Sequence, residues 1–158
     1  MSVRNHFFNS QGESNNVQSA IILVRIIVGT VFLSEGIQKF LFPAALGIGR
    51  FMKIGIPAPE VMAPFVGVIE IVCGLMALFG LYTRLAALPL VIDMLVAIAT
   101  TKIPILMEKG FWAMAHEARV DWSMILGSVF LLIAGSGRWS LDELRIRNAE
   151  SRDTQDKD

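Results

Sequence analysis

Val61–Tyr82 reads VMAPFVGVIEIVCGLMALFGLY, and its only charged side chain is Glu70. A helix needs about 20 apolar residues to cross the roughly 30 Å hydrocarbon core of a bilayer. Backbone in lipid must satisfy its own hydrogen bonds, so an unbroken apolar run of this length is a helix, not a barrel strand. Three more runs follow the same pattern: Ala20–Phe42, Leu85–Thr101 and Trp122–Gly137. The last gives only about 24 Å of helix, so its span should begin earlier, near residue 120. Spans over 20–42, 61–82, 85–101 and 120–137 predict an all-α fold: an integral membrane four-helix bundle with short interfacial helices.

Composition narrows the function classes. Hydrophobic residues make up 54% of the 158, and the formal net charge is zero. A soluble helical domain would need polar stripes along its helices, which Val61–Tyr82 lacks. No segment interleaves basic and aromatic residues, so there is no footprint for nucleic acid. Cys73 is the single cysteine, which excludes dithiol exchange within the chain; mid-span, it reads as a small packing residue. His6 and His116 are the only histidines, and no pair of them within the spans offers axial ligands to a haem. No metal site is expected. No Gly-rich dinucleotide loop is present either.

The chain reads as one domain, 20–149, between polar tails expected to be disordered at 1–19 and 150–158. The first span, too long for a signal peptide and carrying Arg25, reads as uncleaved, and it stops before Pro43. Residues 44–54 suit a short interfacial helix with Arg50 and Lys53 turned to water. Pro59 and Glu60 suit the first turn of the second span. The link Gly80–Arg84 is so short that the second and third spans must be antiparallel neighbours, and Pro89 predicts a kink. Residues 102–121 mix charges with Phe111 and Trp112, which predicts a segment folded back on the membrane surface. Ser140-Leu-Asp-Glu143 is a capping-box pattern that starts a helix at the exit.

The informative residues are charges inside the spans: Arg25, Glu35 and Lys39 in the first, Glu70 in the second and Asp93 in the third. A charge at mid-bilayer costs roughly 2.5–3.5 kcal/mol on insertion scales. Arg25 and Lys39 lie near opposite ends and can snorkel. At 100° per residue they share one side of the helix with Glu35, and Glu35 and Lys39 form an i,i+4 pair. Glu70 lies on a face of small residues, Ala63, Gly67 and Gly74, which lets another helix approach. Arg25, Glu35, Lys39, Glu70 and Asp93 are therefore expected to form an intramembrane polar network. Two roles stay open for it: fixing helix register, or lining a proton path or polar head-group site.

The order and spacing of several short pieces resemble the DoxX family of small four-span bacterial membrane proteins, related to DoxD. They are Arg25-Ile-Ile-Val-Gly29 through Gly36-Ile-Gln-Lys39-Phe40; Gly55-Ile-Pro-Ala-Pro59; Glu70-Ile-Val-Cys-Gly74-Leu; Gly80-Leu-Tyr-Thr83-Arg84-Leu-Ala86-Ala87; and Gly135-Ser-Gly137-Arg138-Trp-Ser140-Leu141-Asp142. The positions matching family motifs include Gly36, Gly74, Thr83, Arg84, Gly137 and Arg138. Glu35 and Cys73 depart from the usual pattern, in which a histidine or other polar residue and a glycine are common.

The resemblance implies an inner-membrane, redox-associated subunit linked to a quinone or to a soluble redox partner, with oxidative and thiol stress as the setting. No covalently bound cofactor is expected; a quinone is. If the chain is catalytic, it acts as part of a quinone-linked oxidoreductase, with electrons from a partner. The alternatives are a small proton-coupled transporter using Glu70 and Asp93, and a non-catalytic assembly factor. Membrane lipid is an expected partner, a homo-oligomer is another, and nucleic acid is not. Arg84 and the arginines after the last span favour both termini in the cytoplasm.

Overall fold

Proline and glycine punctuate the chain into helices at nearly the places their chemistry dictates. The computed structural model describes the backbone of residues 3–155 and the side chains of residues 17–149. Helix α1 covers Val3–Leu41 and ends ahead of Pro43, and a short α2, Ile48–Lys53, follows. Helix α3, Pro59–Phe79, has its proline in the first turn beside Glu60, and it ends where Gly80 takes φ +68°. Helix α4, Thr83–Ala97, passes without a break through a π-helical turn, Ile98–Lys102, into α5, Ile103–Lys109. Gly110 (φ +83°) turns the chain into α6, Phe111–Glu117, and α7 is Arg119–Ala134. Helix α8, Leu141–Gln155, comes last, and no strand occurs among the described residues.

Three helical stretches are long and apolar enough to cross a membrane: Val17–Leu41, Pro59–Phe79 and Thr83–Lys109. The protein is an all-α membrane protein. Helix α7 has 16 residues and runs antiparallel to α4: Arg84 reaches the Ile133 carbonyl at one end, and Lys102 meets Asp121 at the other. Helix α1 packs on α3, α3 on α4, α4 on α7 and α7 back on α1, which closes a ring. Leu23, Ile27, Val61, Phe65, Leu85 and Leu126 are each more than half exposed on its outside. The inside is lined by small residues, Ala63, Ala77, Ala86 and Ala87, around Val28, Phe32, Leu90 and Leu131. Lipid is as apolar as leucine, so such helices associate by close backbone approach more than by hydrophobic burial. The α1–α3 seam does this through facing glycines. A Cβ on Gly74 would lie 2.8 Å from the Leu33 nitrogen, and one on Gly36 would lie 2.7 Å from the Gly67 carbonyl oxygen.

Several sequence expectations change here. The third apolar helix does not end at Thr101; its helical backbone continues through the π-helical turn to Lys109. Lys102, which reads as a stop in the sequence, is 9% exposed and lies 3.2 Å from Asp121. That pairing offsets the cost of burying the Lys102 charge. Of the expected surface segment 102–121, only α6 is a separate turn-back helix. The tails expected at 1–19 and 150–158 carry helical backbone over 3–19 and 150–155. Extending a helix already nucleated by a neighbouring span adds hydrogen bonds without a new nucleus. Residues 1, 2 and 156–158 lie outside the described residues.

The capping pattern at the exit is realised with one change. Ser140 Oγ accepts the Glu143 N–H at 3.1 Å, while the Glu143 carboxylate reaches past Ser140 to accept the Trp139 N–H at 2.8 Å. Helix α7 starts at Arg119, three residues before Trp122.

Candidate functional site

Close contact of α1 with α3 fixes where the charges meet. The facing glycines put Lys39, in the last turn of α1, beside Glu70 at the middle of α3. The Lys39 Nζ lies 2.6 Å from Glu70 Oε2, and Glu70 is 2% exposed. The ion pair thus joins two helices, where the sequence spacing pointed to Glu35 as the partner of Lys39. Asp93 reaches in from α4; its carboxyl group is within hydrogen-bonding reach of Glu70, with Lys39 and Glu35 also facing it. Glu35 itself is largely exposed on α1. Four of the five expected network residues are therefore brought together.

The fifth is not. Arg25 is 4% exposed but lies at the other end of the bundle. It donates from Nε to the Ala77 carbonyl (3.2 Å), from Nη2 to Leu78 (3.0 Å), and from Nη1 to Ser136 (3.0 Å) and Trp139 (3.3 Å). Ala77 and Leu78 belong to the last turn of α3, where carbonyls run short of helical partners; the Ala77 oxygen also accepts the Gly80 N–H at 3.2 Å. Shared helical azimuth put Arg25 with Lys39, but fourteen residues of rise separate them by about 21 Å. Arg25 ties the ends of two helices together and is not part of the Lys39–Glu70 cluster.

Around Glu70 and Asp93 lies a cavity of about 370 Å³. Its inner part is polar, with Lys39, Glu70 and Asp93, and its walls are apolar, with Phe32, Val66, Met94 and Met124 among them. Toward the end that carries α2, a second charged layer appears: Lys102 and Asp121, with Arg50 and Glu117 beside them. Thr100 and Thr101, from the π-helical turn, also face the cavity. Each threonine hydroxyl donates to its own helix, Thr100 to the Val96 carbonyl at 2.8 Å and Thr101 to Ala97 at 2.6 Å. π-helical turns recur at functional sites because they offset the side chains that follow, and here Lys102 ends such a turn.

The sequence does not place Lys102 and Asp121 in the polar network. A signal was present: Lys102 directly follows one apolar run and Asp121 directly precedes the next. Antiparallel neighbours bring two such positions together.

The family-motif positions are structural in their contacts. Gly36 and Gly74 make the α1–α3 seam. Thr83 is buried in the first turn of α4. Arg84 donates to the Ile133 carbonyl at 3.1 Å, near the end of α7. Gly137 (φ +64°) lies against Gln18 and Ile21 of α1, and the Arg138 N–H donates to Gln18 Oε1 at 2.8 Å. That bond places the start of the first apolar stretch beside the exit of α7. His116 is exposed, and no group of three metal-binding side chains occurs among the described residues.

Known proteins match the chain over most of its length. The chain is 57% identical over 129 residues to an uncharacterised membrane protein of Mycobacterium tuberculosis, covering 78% of this chain and 79% of that one. It is 31% identical over 121 residues to CatD of Bacillus subtilis, which is named provisionally as an oxidoreductase, covering 77% and 83%. No solved structure matches. The DoxX family model matches residues 20–103, the stretch that supplies Lys39, Glu70, Asp93 and Lys102, and the chain belongs to the DoxX family.

Proposed function

We propose that the protein is a redox-associated inner-membrane subunit whose intramembrane cavity receives the head group of a quinone. The observation that carries this reading is the cavity itself: about 370 Å³, apolar in its walls, with Lys39, Glu70 and Asp93 converging at its inner end. Small-molecule sites are typically about 300–1,000 Å³, mostly apolar and fitted with a few convergent polar groups. A quinone head group has that character, being a flat apolar ring with two carbonyl oxygens. The name of the Bacillus relative lends weak support to a redox link.

The residues fit such a guest in chemical type. Lys39 is a hydrogen-bond donor for a carbonyl oxygen, and Glu70 fixes where its ammonium points. Glu70 and Asp93, in mutual reach, can hold one proton between them as a coupled pair. Asp93 then serves as the proton carrier. Lys102 and Asp121 line the way between this pair and the end of the bundle, offering a polar route for protons. A bound quinone would supply a carrier of two electrons and two protons, with the electrons coming from a partner protein.

Helix α7 acts in this reading as a fourth crossing. Both termini lie in the cytoplasm, so the cavity opens toward the outer side.

The test is the Asp93→Asn variant in a strain deleted for the gene. It should accumulate as folded protein and fail to restore quinone-linked electron transfer to isolated membranes. Full restoration by a stable Asp93→Asn protein would reject a proton-carrying role and favour a scaffold.

A further inference from the structure

Glu35 lines the cavity, and the redox reading gives it no task. Its depth follows from its neighbour. A Cβ on Gly36 would lie 2.7 Å from the Gly67 carbonyl oxygen and 2.9 Å from the Ile71 nitrogen, so this turn of α1 is level with Glu70 on α3. Leu41 ends the apolar stretch of α1 six residues further on, about 9 Å along the helix. An ionised acid at that depth is costly against lipid, and the cavity gives Glu35 a wet alternative. Arg50 and Glu117, both exposed, line the same cavity near α2 and mark its opening to solvent.

Three carboxyl groups thus meet in one cavity, and they differ in exposure. Glu70 is 2% exposed and holds the Lys39 ammonium at 2.6 Å. Asp93 is half-buried, within hydrogen-bonding reach of Glu70, and faces Glu35. Glu35 is exposed. The cations of the cavity are engaged elsewhere. Lys39, four residues after Glu35 on the same helix, is turned to Glu70, and Lys102 is 3.2 Å from Asp121. Among the described residues no cation lies within ion-pair distance of Glu35. A carboxylate that is wet, held by no cation and facing a buried acid is suited to gain and lose protons on that acid's behalf.

We propose that Glu35 is the proton-exchange residue of this cavity, taking protons from cavity water and passing them to Asp93. The step moves no electrons. A hydronium ion protonates the Glu35 carboxylate and leaves as water. The Glu35 O–H then gives its proton to an Asp93 oxygen, across a direct contact or one bridging water, which restores the Glu35 carboxylate. Glu35 acts through Asp93 and need not touch the guest. The proposal rests on the proton that the redox reading lets Glu70 and Asp93 share, and not on which guest the cavity takes.

Infrared spectroscopy of the purified full chain in lipid nanodiscs tests it. A protonated carboxyl group has a C=O stretching band that carboxylates lack, and the band shifts when deuterium replaces the proton. The parent should show this band at neutral pH, and Asp93→Asn should lose it. Glu35→Gln should keep the band, because the Glu70–Asp93 pair is untouched. After rapid transfer to D2O its shift should be slower than in the parent by about tenfold or more. Glu35→Asp should exchange at nearly the parent rate. Millimolar formate, a small proton carrier, should speed exchange in Glu35→Gln, which it would not do for a packing defect. Glu35→Gln alters one exposed side chain, so its circular dichroism should match the parent. Exchange in Glu35→Gln as fast as in the parent would overturn the proposal and leave the Lys102–Asp121 side as the way in. Slowing that neither Glu35→Asp nor formate relieves would overturn it in favour of a role in packing. A parent without the band, or a band that survives Asp93→Asn, would instead overturn the shared proton itself, and the proposal with it.

Discussion

Glu70 and Arg25 are both buried charges, yet they make opposite demands on their surroundings. Glu70 has a charged partner at 2.6 Å, while Arg25 has four carbonyl oxygens within 3.3 Å. Removing one member of a buried pair leaves the other uncompensated, which costs about 3–5 kcal/mol. Glu70→Ala should therefore lower the melting temperature in detergent sharply, and Glu70→Gln much less, because an amide still accepts from Lys39. An unchanged melting temperature for Glu70→Ala would mean that the Lys39 ammonium finds water there. Arg25→Lys should also destabilise, on the order of 2 kcal/mol, since one ammonium cannot span carbonyls from two helix ends. That loss should leave any activity centred on Asp93 unchanged per folded molecule, because the two sites lie at opposite ends. The sequence announced both residues as costly. It could not separate them, because helical azimuth is read from spacing alone, whereas depth decides which partners a side chain meets.

Between helices, small residues decide geometry and paired charges decide length. Gly74 and Gly67 flank Glu70 on one face of α3, and this stripe is legible because two glycines in an apolar run have few other uses. Their actual partners, Gly29 and Gly36 on α1, require the crossing itself. A Cβ at position 74 would meet the Leu33 nitrogen at 2.8 Å and the Gly29 oxygen at 3.0 Å, both backbone atoms that cannot move aside. Gly74→Val should thus push α1 off α3, with a loss of about 1–3 kcal/mol measured by chemical unfolding in detergent. The longer third apolar helix was less legible. Its continuation rests on Lys102 finding Asp121 across a gap of nineteen residues, and no local pattern encodes that match. Lys102→Asp should be destabilising, and Lys102→Asp with Asp121→Lys should recover part of the loss. The coupling from that double-mutant cycle should exceed 0.5 kcal/mol; a value near zero would mean the pair is a surface accident.

At the scale of the molecule, the helices form a ring with polar chemistry at two depths and lipid-facing apolar side chains outside. Gln18 meeting Arg138 places the first apolar stretch and the exit of α7 at one end of the bundle. A cytoplasmic reporter fused after Gln155 should be active and an alkaline phosphatase fused there inactive; the reverse result would turn the cavity toward the cytoplasm. The all-α membrane fold was readable from four apolar runs. The cavity was not, because it is assembled from α1, α2, α3, α4, the π-helical turn and α7 together, each contributing side chains that look isolated along the chain. Binding tests what the cavity holds without assuming a partner. A short-chain quinone should bind the purified protein in lipid nanodiscs saturably, at one per chain, when free ligand is separated by rapid filtration. Lys39→Met and Asp93→Asn should each weaken that binding about tenfold or more, the loss expected for one charge-assisted hydrogen bond of about 1.5–3 kcal/mol. Quinone uptake that never saturates, or that is identical in the parent and both variants, would contradict the account.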